Sequence, residues 1–162
     1  PLEPESVLEE LMSLVERGTR ELERRQFKKA VDSFTRAMKL TTPQAGMLHH
    51  RGSALAELHR HREAIVDYTG AIQLLPTHPD LYLDRGNSHH ALDEFDHAVR
   101  DYTEAIRIKP NFAKAFANRA AVHAENGRRE DSDSDAAKAR ELGVDEAALD
   151  ILLAESREKA SR

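Results

Sequence analysis

An all-α chain of stacked helical hairpins, closed by one further helix, is predicted by three observations. Matched side chains recur every thirty-four residues: Gly18, Gly52 and Gly86; Ala30, Ala64 and Ala98; Phe34, Tyr68 and Tyr102; Ala37, Ala71, Ala105 and Ala139; Arg17, Arg51, Arg85 and Arg119; and Pro76 with Pro110. A period of that length marks a repeated helix pair. Within one period the apolar residues keep helical rhythm, because Phe95, Ala98, Val99, Tyr102, Ala105 and Ile106 share one helix face. No stretch alternates β-branched or aromatic residues with polar ones, so no strand is expected.

The elements follow in order. Residues 1–10 are read as an upstream extension of the first helix, with Ser6 and Glu9 at capping-box spacing and Pro4 as the competing start. The repeats are placed at 11–44, 45–78, 79–112 and 113–146. In each, glycine at the eighth position lets the first helix approach the second, and alanines at the twentieth and twenty-seventh do the same from the other side. The aromatic at the twenty-fourth fills the space left between hairpins. Pro76 and Pro110 stop the second helices of their repeats, and Pro43 does so one residue late. The fourth repeat is degraded: Ser132 replaces an alanine, Ala136 replaces the aromatic, and no proline follows. Gly143 ends its second helix instead. Asp145 is the expected N-cap of a last helix, 145–159, whose Leu149, Ile151, Leu152 and Leu153 cover the open end of the stack. The segment 145–162 is thus a capping helix with a charged, fraying tail.

Composition narrows the function classes. The 162 residues are 33 % charged and 40 % apolar, with a net charge of −5. That balance speaks against nucleic acid or an acidic membrane as the general partner, and no apolar run is long enough to span a bilayer. Cysteine is absent, which removes disulfides and thiolate chemistry and fits a reducing, cytoplasmic setting. The chain begins with Pro1 rather than Met, so an excised piece, such as a regulatory domain of a larger enzyme, stays in view.

From about residue 11 to 146 the chain resembles the tetratricopeptide-repeat family. The phrases Asp67-Tyr68-Thr69-Gly70-Ala71-Ile72 and Asp101-Tyr102-Thr103-Glu104-Ala105-Ile106 resemble its second helix, and Arg51-Gly52 and Arg85-Gly86 its first-helix motif in a common subclass. The resemblance implies a right-handed superhelix, an α-solenoid of four helix-turn-helix repeats, whose first helices line a concave groove for an extended peptide or partner helix. Its inward positions fall on Val15, Thr19 and Leu22; on His49, His50, Ser53 and Ala56; on Asp80, Leu83, Asp84, Asn87 and His90; and on Lys114, Ala117, Asn118, Ala121 and Ala124. The candidate peptide-binding residues are therefore His49, Ser53, Leu83, Asn87, His90, Lys114 and Asn118. Asn87 and Asn118 both donate and accept, which suits a ligand backbone.

Family members that hold acidic chaperone C-terminal tails use lysine, asparagine and arginine as a carboxylate clamp. Here those positions hold Val15, Thr19, His50, Asp80 and Asp84, or, one repeat later, His49, Ser53, Asp84, Lys114 and Asn118. Only Lys114 fits and Asp84 repels a carboxylate, so a chaperone tail is not the expected partner.

The periodic arginines stand where the family more often has leucine. Asp67, Asp101 and Asp135 keep the same period, and pairs between repeats, Asp67–Arg85 and Asp101–Arg119, are expected; pairing within a repeat, as Arg85 with Asp101, is the competing geometry. Ser33 replaces the aspartate in the first repeat, leaving Arg51 without this partner. Nine histidines offer no pair three or four apart, so no metal site is expected and the rings should be exposed or half-packed. Asp131-Ser132-Asp133-Ser134-Asp135 falls in a helix as a solvated acidic face rather than a cation loop. No nucleophile elbow, phosphate loop or metallohydrolase helix is present. The reading is a non-enzymatic scaffold, without cofactor, that binds a protein or peptide segment. The alternative is a homo-oligomer assembled through the fourth repeat or the last helix.

Overall fold

The thirty-four-residue period resolves into pairs of helices joined by tight turns. In the computed structural model, which describes residues 4–162, there are nine helices and no strand among those residues. They are α1 (Pro4–Glu23), α2 (Phe27–Leu40), α3 (Ala45–Glu57), α4 (His61–Leu74), α5 (Pro79–Ala91), α6 (Phe95–Ile108), α7 (Ala113–Glu125), α8 (Arg129–Glu141) and α9 (Glu146–Ala160). Residues 1–3 of the expected upstream extension lie outside the described residues. Ser6 sits inside α1 and is not its N-cap.

The chain forms two compact units, one ending at Pro76 and one starting at Thr77. In the first, α1 pairs with α2 and α3 with α4, and α2 packs on α3. In the second, α5 pairs with α6 and α7 with α8, α6 packs on α7, and α9 also packs on α7.

Each hairpin turns on one residue with positive φ: Arg25 (57°), His59 (58°), Asp93 (57°) and Gly127 (72°). The preceding helix ends there in a Schellman arrangement; Glu94 N–H donates to the His89 carbonyl at 2.9 Å and Asp93 N–H to that of His90 at 2.9 Å. Only the fourth turn uses glycine, so three of the four carry no glycine to announce them in the sequence. Gly143 (φ 86°) ends α8 in the same way.

Residues equidistant from such a turn face each other across the antiparallel pair. Gly52 also faces Tyr68, and Gly86 faces Tyr102, seven residues before and nine after their turn residues. A Cβ on Gly52 would stand 2.8 Å from Tyr68 Cε1, and one on Gly86 2.7 Å from Tyr102 Cε1. In the fourth hairpin the facing pair is Ala120 and Ala136, both buried. The lost aromatic and the added methyl there compensate each other.

The same rule corrects the expected ion pairs. Arg51 grips both oxygens of Asp67 at 2.8 Å. Arg85 grips Asp101 at 2.8 and 2.7 Å, and Arg119 grips Asp135 at 2.7 and 2.8 Å. The pairs Asp67–Arg85 and Asp101–Arg119 give way to pairs within each hairpin, because arginine and aspartate are equidistant from the turn. Arg51 therefore does have its aspartate. It is Arg17 that faces Ser33, donating at 3.1 Å to a hydroxyl that in turn donates to Glu21 at 2.6 Å. A tie to the preceding hairpin exists, but through threonine: Arg51 donates to Thr35 at 3.1 Å and Arg119 to Thr103 at 3.0 Å. Asp135 is buried, so the acidic segment of α8 is solvated only at Asp131, Asp133 and Ser134. His89 and His123 are likewise buried, beside Asp101 and Asp135, rather than half-packed.

In the second unit α9 closes the apolar layer. Leu149 and Leu153 pack with Phe116, Ala117, Ala120, Ala136 and Ala139. A second copy docking through this face would first have to displace those leucines. Asp145 caps α9, its Oδ1 accepting from the Ala148 N–H at 2.7 Å. Asp145→Ala is expected to cost about 1 kcal/mol, read as a lower urea midpoint. An unchanged midpoint would show that α9 docks by burial alone.

Candidate functional site

In the first unit the first helices of the two hairpins leave an apolar cleft. Leu11, Met12 and Val15 of α1 face Met47, Gly46 and His50 of α3, with Glu16 and Gln44 at the rim, around a volume of about 450 Å³. Met12 is 64 % exposed. Methionine is unbranched and polarizable, and so adapts to varied apolar guests. His50 flanks the cleft with its ring 5.6 Å from that of Phe34. Burial, and to a lesser degree the neighbouring His49, hold the His50 imidazole below its ordinary pKa of 6.5. At neutral pH it therefore presents an uncharged wall.

The predicted residues of this unit lie close by on α3. The Ser53 hydroxyl donates to the His49 carbonyl at 3.0 Å, and the Tyr68 hydroxyl reaches it at 3.5 Å. The His49 ring meets Tyr68 edge-on at 6.0 Å. Ser53 thus spends its proton on its own helix, as serine in a helix interior commonly does.

In the second unit the structure brings Asn87 and Asn118 together. Asn87 Oδ1 accepts from the Tyr102 hydroxyl at 2.8 Å and from Asn118 Nδ2 at 2.8 Å. This network fixes both amides. It leaves the two Asn87 N–H groups and the Asn118 carbonyl directed away from it, a donor–acceptor pair of the kind a peptide unit complements.

The other predicted residues of this unit do not join that network. His90 Nε2 lies 3.1 Å from Glu125 Oε1, a buried carboxylate that also accepts from Ser156 and Lys159. Leu83 is buried, so a substitution there would report on folding rather than on binding. Lys114 is exposed on α7.

Sequence reasoning found Val15 and His50 but passed over Leu11, Met12 and Met47. The second inward position of the first repeat holds Met12, and that position was the available signal. Leu11 and Met47 stand beside inward positions and reach the cleft only because α1 and α3 lie adjacent.

Comparison with known proteins agrees with this geometry. The family model described as TPR repeat matches residues 86–127. No curated protein matches the chain by sequence. Among solved structures, one of MamA superposes with a TM-score of 0.79 at 25 % identity, covering 85 % of this chain and 81 % of that one. YrrB, described as a TPR protein with an unusual peptide-binding site, superposes at 0.76 with 19 % identity, covering 87 % and 71 %. The first TPR of Spaghetti (RPAP3), bound to the HSP90 peptide SRMEEVD, superposes at 0.63 with 23 % identity, covering 78 % and 93 %. Period, hairpin geometry, the TPR-repeat match over residues 86–127 and the structural neighbours converge on a tetratricopeptide-repeat fold.

Proposed function

We propose that the chain is a non-enzymatic interaction scaffold that holds an apolar peptide segment in the cleft between α1 and α3. The observation that carries this reading is the exposed Met12 over a cleft walled by Leu11, Val15 and Met47. Affinity comes from apolar side chains of the guest entering that cleft, in the groove-recognition manner. On the second unit, the outward groups of Asn87 and Asn118 supply hydrogen bonds to a guest backbone. Two structural neighbours are described by a peptide-binding site or a bound peptide, and that supports the class of ligand rather than its identity. An acidic tail such as SRMEEVD is a poor fit, because no cation but Lys114 stands at the clamp positions and Asp84 opposes a carboxylate.

A displayed random-peptide library, panned on the wild type, tests the proposal. Selected peptides should be apolar, and Met12→Glu should weaken them about tenfold or more, as expected when an apolar contact is replaced by a charge. SRMEEVD should give no signal in the same assay. Peptides that bind Met12→Glu as tightly as the wild type would remove the cleft from the account.

The cleft also carries a pH dependence. The folded-state pKa of His50 lies below the ordinary value, so His50 is neutral above about pH 6.5 and protonates as the pH falls through the lower value. A guest covering the ring competes with that proton. Peptide affinity should be flat from pH 8 to about 6.5, fall below it, and become flat throughout in His50→Gln. An equal fall in His50→Gln would assign the effect elsewhere.

A further inference from the structure

Away from the cleft, the turn between α5 and α6 gathers groups that peptide binding does not use. His89 lies near the end of α5, Glu94 is the N-cap residue of α6, and His97 lies in its first turn. One donor atom of each stands within 4.8 Å of the other two. His89 is only 9 % exposed, and its Nδ1 is buried without a hydrogen bond among the described residues. The Glu94 Oε2 it faces is 3.7 Å away, beyond hydrogen-bond reach. The exposed His97 ring stacks on His89 at 4.9 Å and 25°. A buried imidazole nitrogen left without a partner costs free energy, which a bound cation would recover.

We propose that His89, Glu94 and His97 form a site for one borderline divalent transition-metal ion, of the Zn²⁺ class, that clamps the α5–α6 turn. Two imidazole nitrogens and a carboxylate oxygen are the donor set such ions take, with a remaining position for water or a partner's side chain. Bonds of about 2.0–2.1 Å in tetrahedral array put donors about 3.3 Å apart. The His89–Glu94 pair is near that spacing already. His97, on the surface, has the rotamer freedom to close the remainder. The far nitrogen of His89 is turned to Asp101 Oδ2 at 3.9 Å, and Arg85 fixes that carboxylate, which is the outer-shell arrangement that orients a metal-bound histidine. The expectation of no metal counted histidine pairs within one helix, whereas this set straddles a turn.

The fourth hairpin is a built-in control. His123 repeats His89, with a buried Nδ1 lacking a hydrogen bond among the described residues and Nε2 at 3.7 Å from Asp135. One period after Glu94 and His97, however, stand Arg128 and Asp131, and the guanidinium repels a cation.

The test is titration of the untagged chain with Co²⁺, followed by its visible spectrum, and with Zn²⁺ by calorimetry. The expected result is one ion per chain and a melting temperature that rises with Zn²⁺ and returns with chelator. His97→Ala and Glu94→Gln, both outside the core, should weaken binding at least about tenfold with unchanged helical circular dichroism. Arg128→Glu with Asp131→His should raise the count to two. A wild type that takes up no ion, variants that bind as well as the wild type, or a rebuilt fourth hairpin that stays empty would each overturn the assignment.

Discussion

Arg51→Met should destabilise the unit that ends at Pro76 by about 3–5 kcal/mol, the cost of leaving a buried charge without its partner. Asp67 is 3 % exposed at its side chain, and both of its oxygens are held by Arg51. Removing the guanidinium strands that carboxylate among Val31, Leu55 and the rest of the hairpin's inner surface, and also releases Thr35. The size of the effect comes from desolvation, not from the attraction of the pair. Arg51→Met combined with Asp67→Leu should therefore recover most of the loss, since an apolar replacement of both partners is commonly neutral or better. Urea unfolding of the two single variants and the double gives the coupling. A loss in Arg51→Met below about 1 kcal/mol, the value of a surface pair, would mean that water reaches Asp67 and that the arginine is ornamental to the fold.

The same pair shows what the sequence could and could not say. The period located every hairpin, because glycine, alanine and aromatic residues must recur where helices touch. Arginine and aspartate recur with it, but period alone does not tell a partner in the same hairpin from one in the next. The missing information was the fulcrum of each turn, and in three of four turns it is Arg25, His59 or Asp93 rather than a glycine. Once that residue is known, the ion pairs follow by equal distance from it, as Arg85 with Asp101 and Arg119 with Asp135, and each glycine–aromatic contact lies one residue further along both helices. The Met12 cleft was legible only in part, since Val15 and His50 stand at inward positions while Leu11 and Met47 enter it through helix adjacency. His89, Glu94 and His97 were illegible to a search for chelating pairs on one helix. Their proximity is made by the turn, not by the helical repeat.

Facing positions also make a prediction about coupling. Tyr102→Ala should cost the second unit about 3–5 kcal/mol, because it empties a fully buried ring site. It also removes the hydroxyl that donates to Asn87 at 2.8 Å. Gly86→Ala alone should cost about 1–3 kcal/mol, since the new methyl would lie 2.7 Å from Tyr102 Cε1 and 3.3 Å from Asp101 Cβ. The two changes act on the same space with opposite sign. The methyl that clashes with tyrosine partly fills the cavity the tyrosine leaves, as Ala120 and Ala136 do for each other one period later. A double-mutant cycle by urea unfolding should accordingly show Gly86→Ala/Tyr102→Ala less destabilised than the sum of its parts by about 1 kcal/mol or more. Additivity within about 0.5 kcal/mol would mean that the backbone, rather than the ring, sets the distance between α5 and α6. In that case the thirty-four-residue alternation of glycine and aromatic would reflect local helix geometry instead of packing between helices.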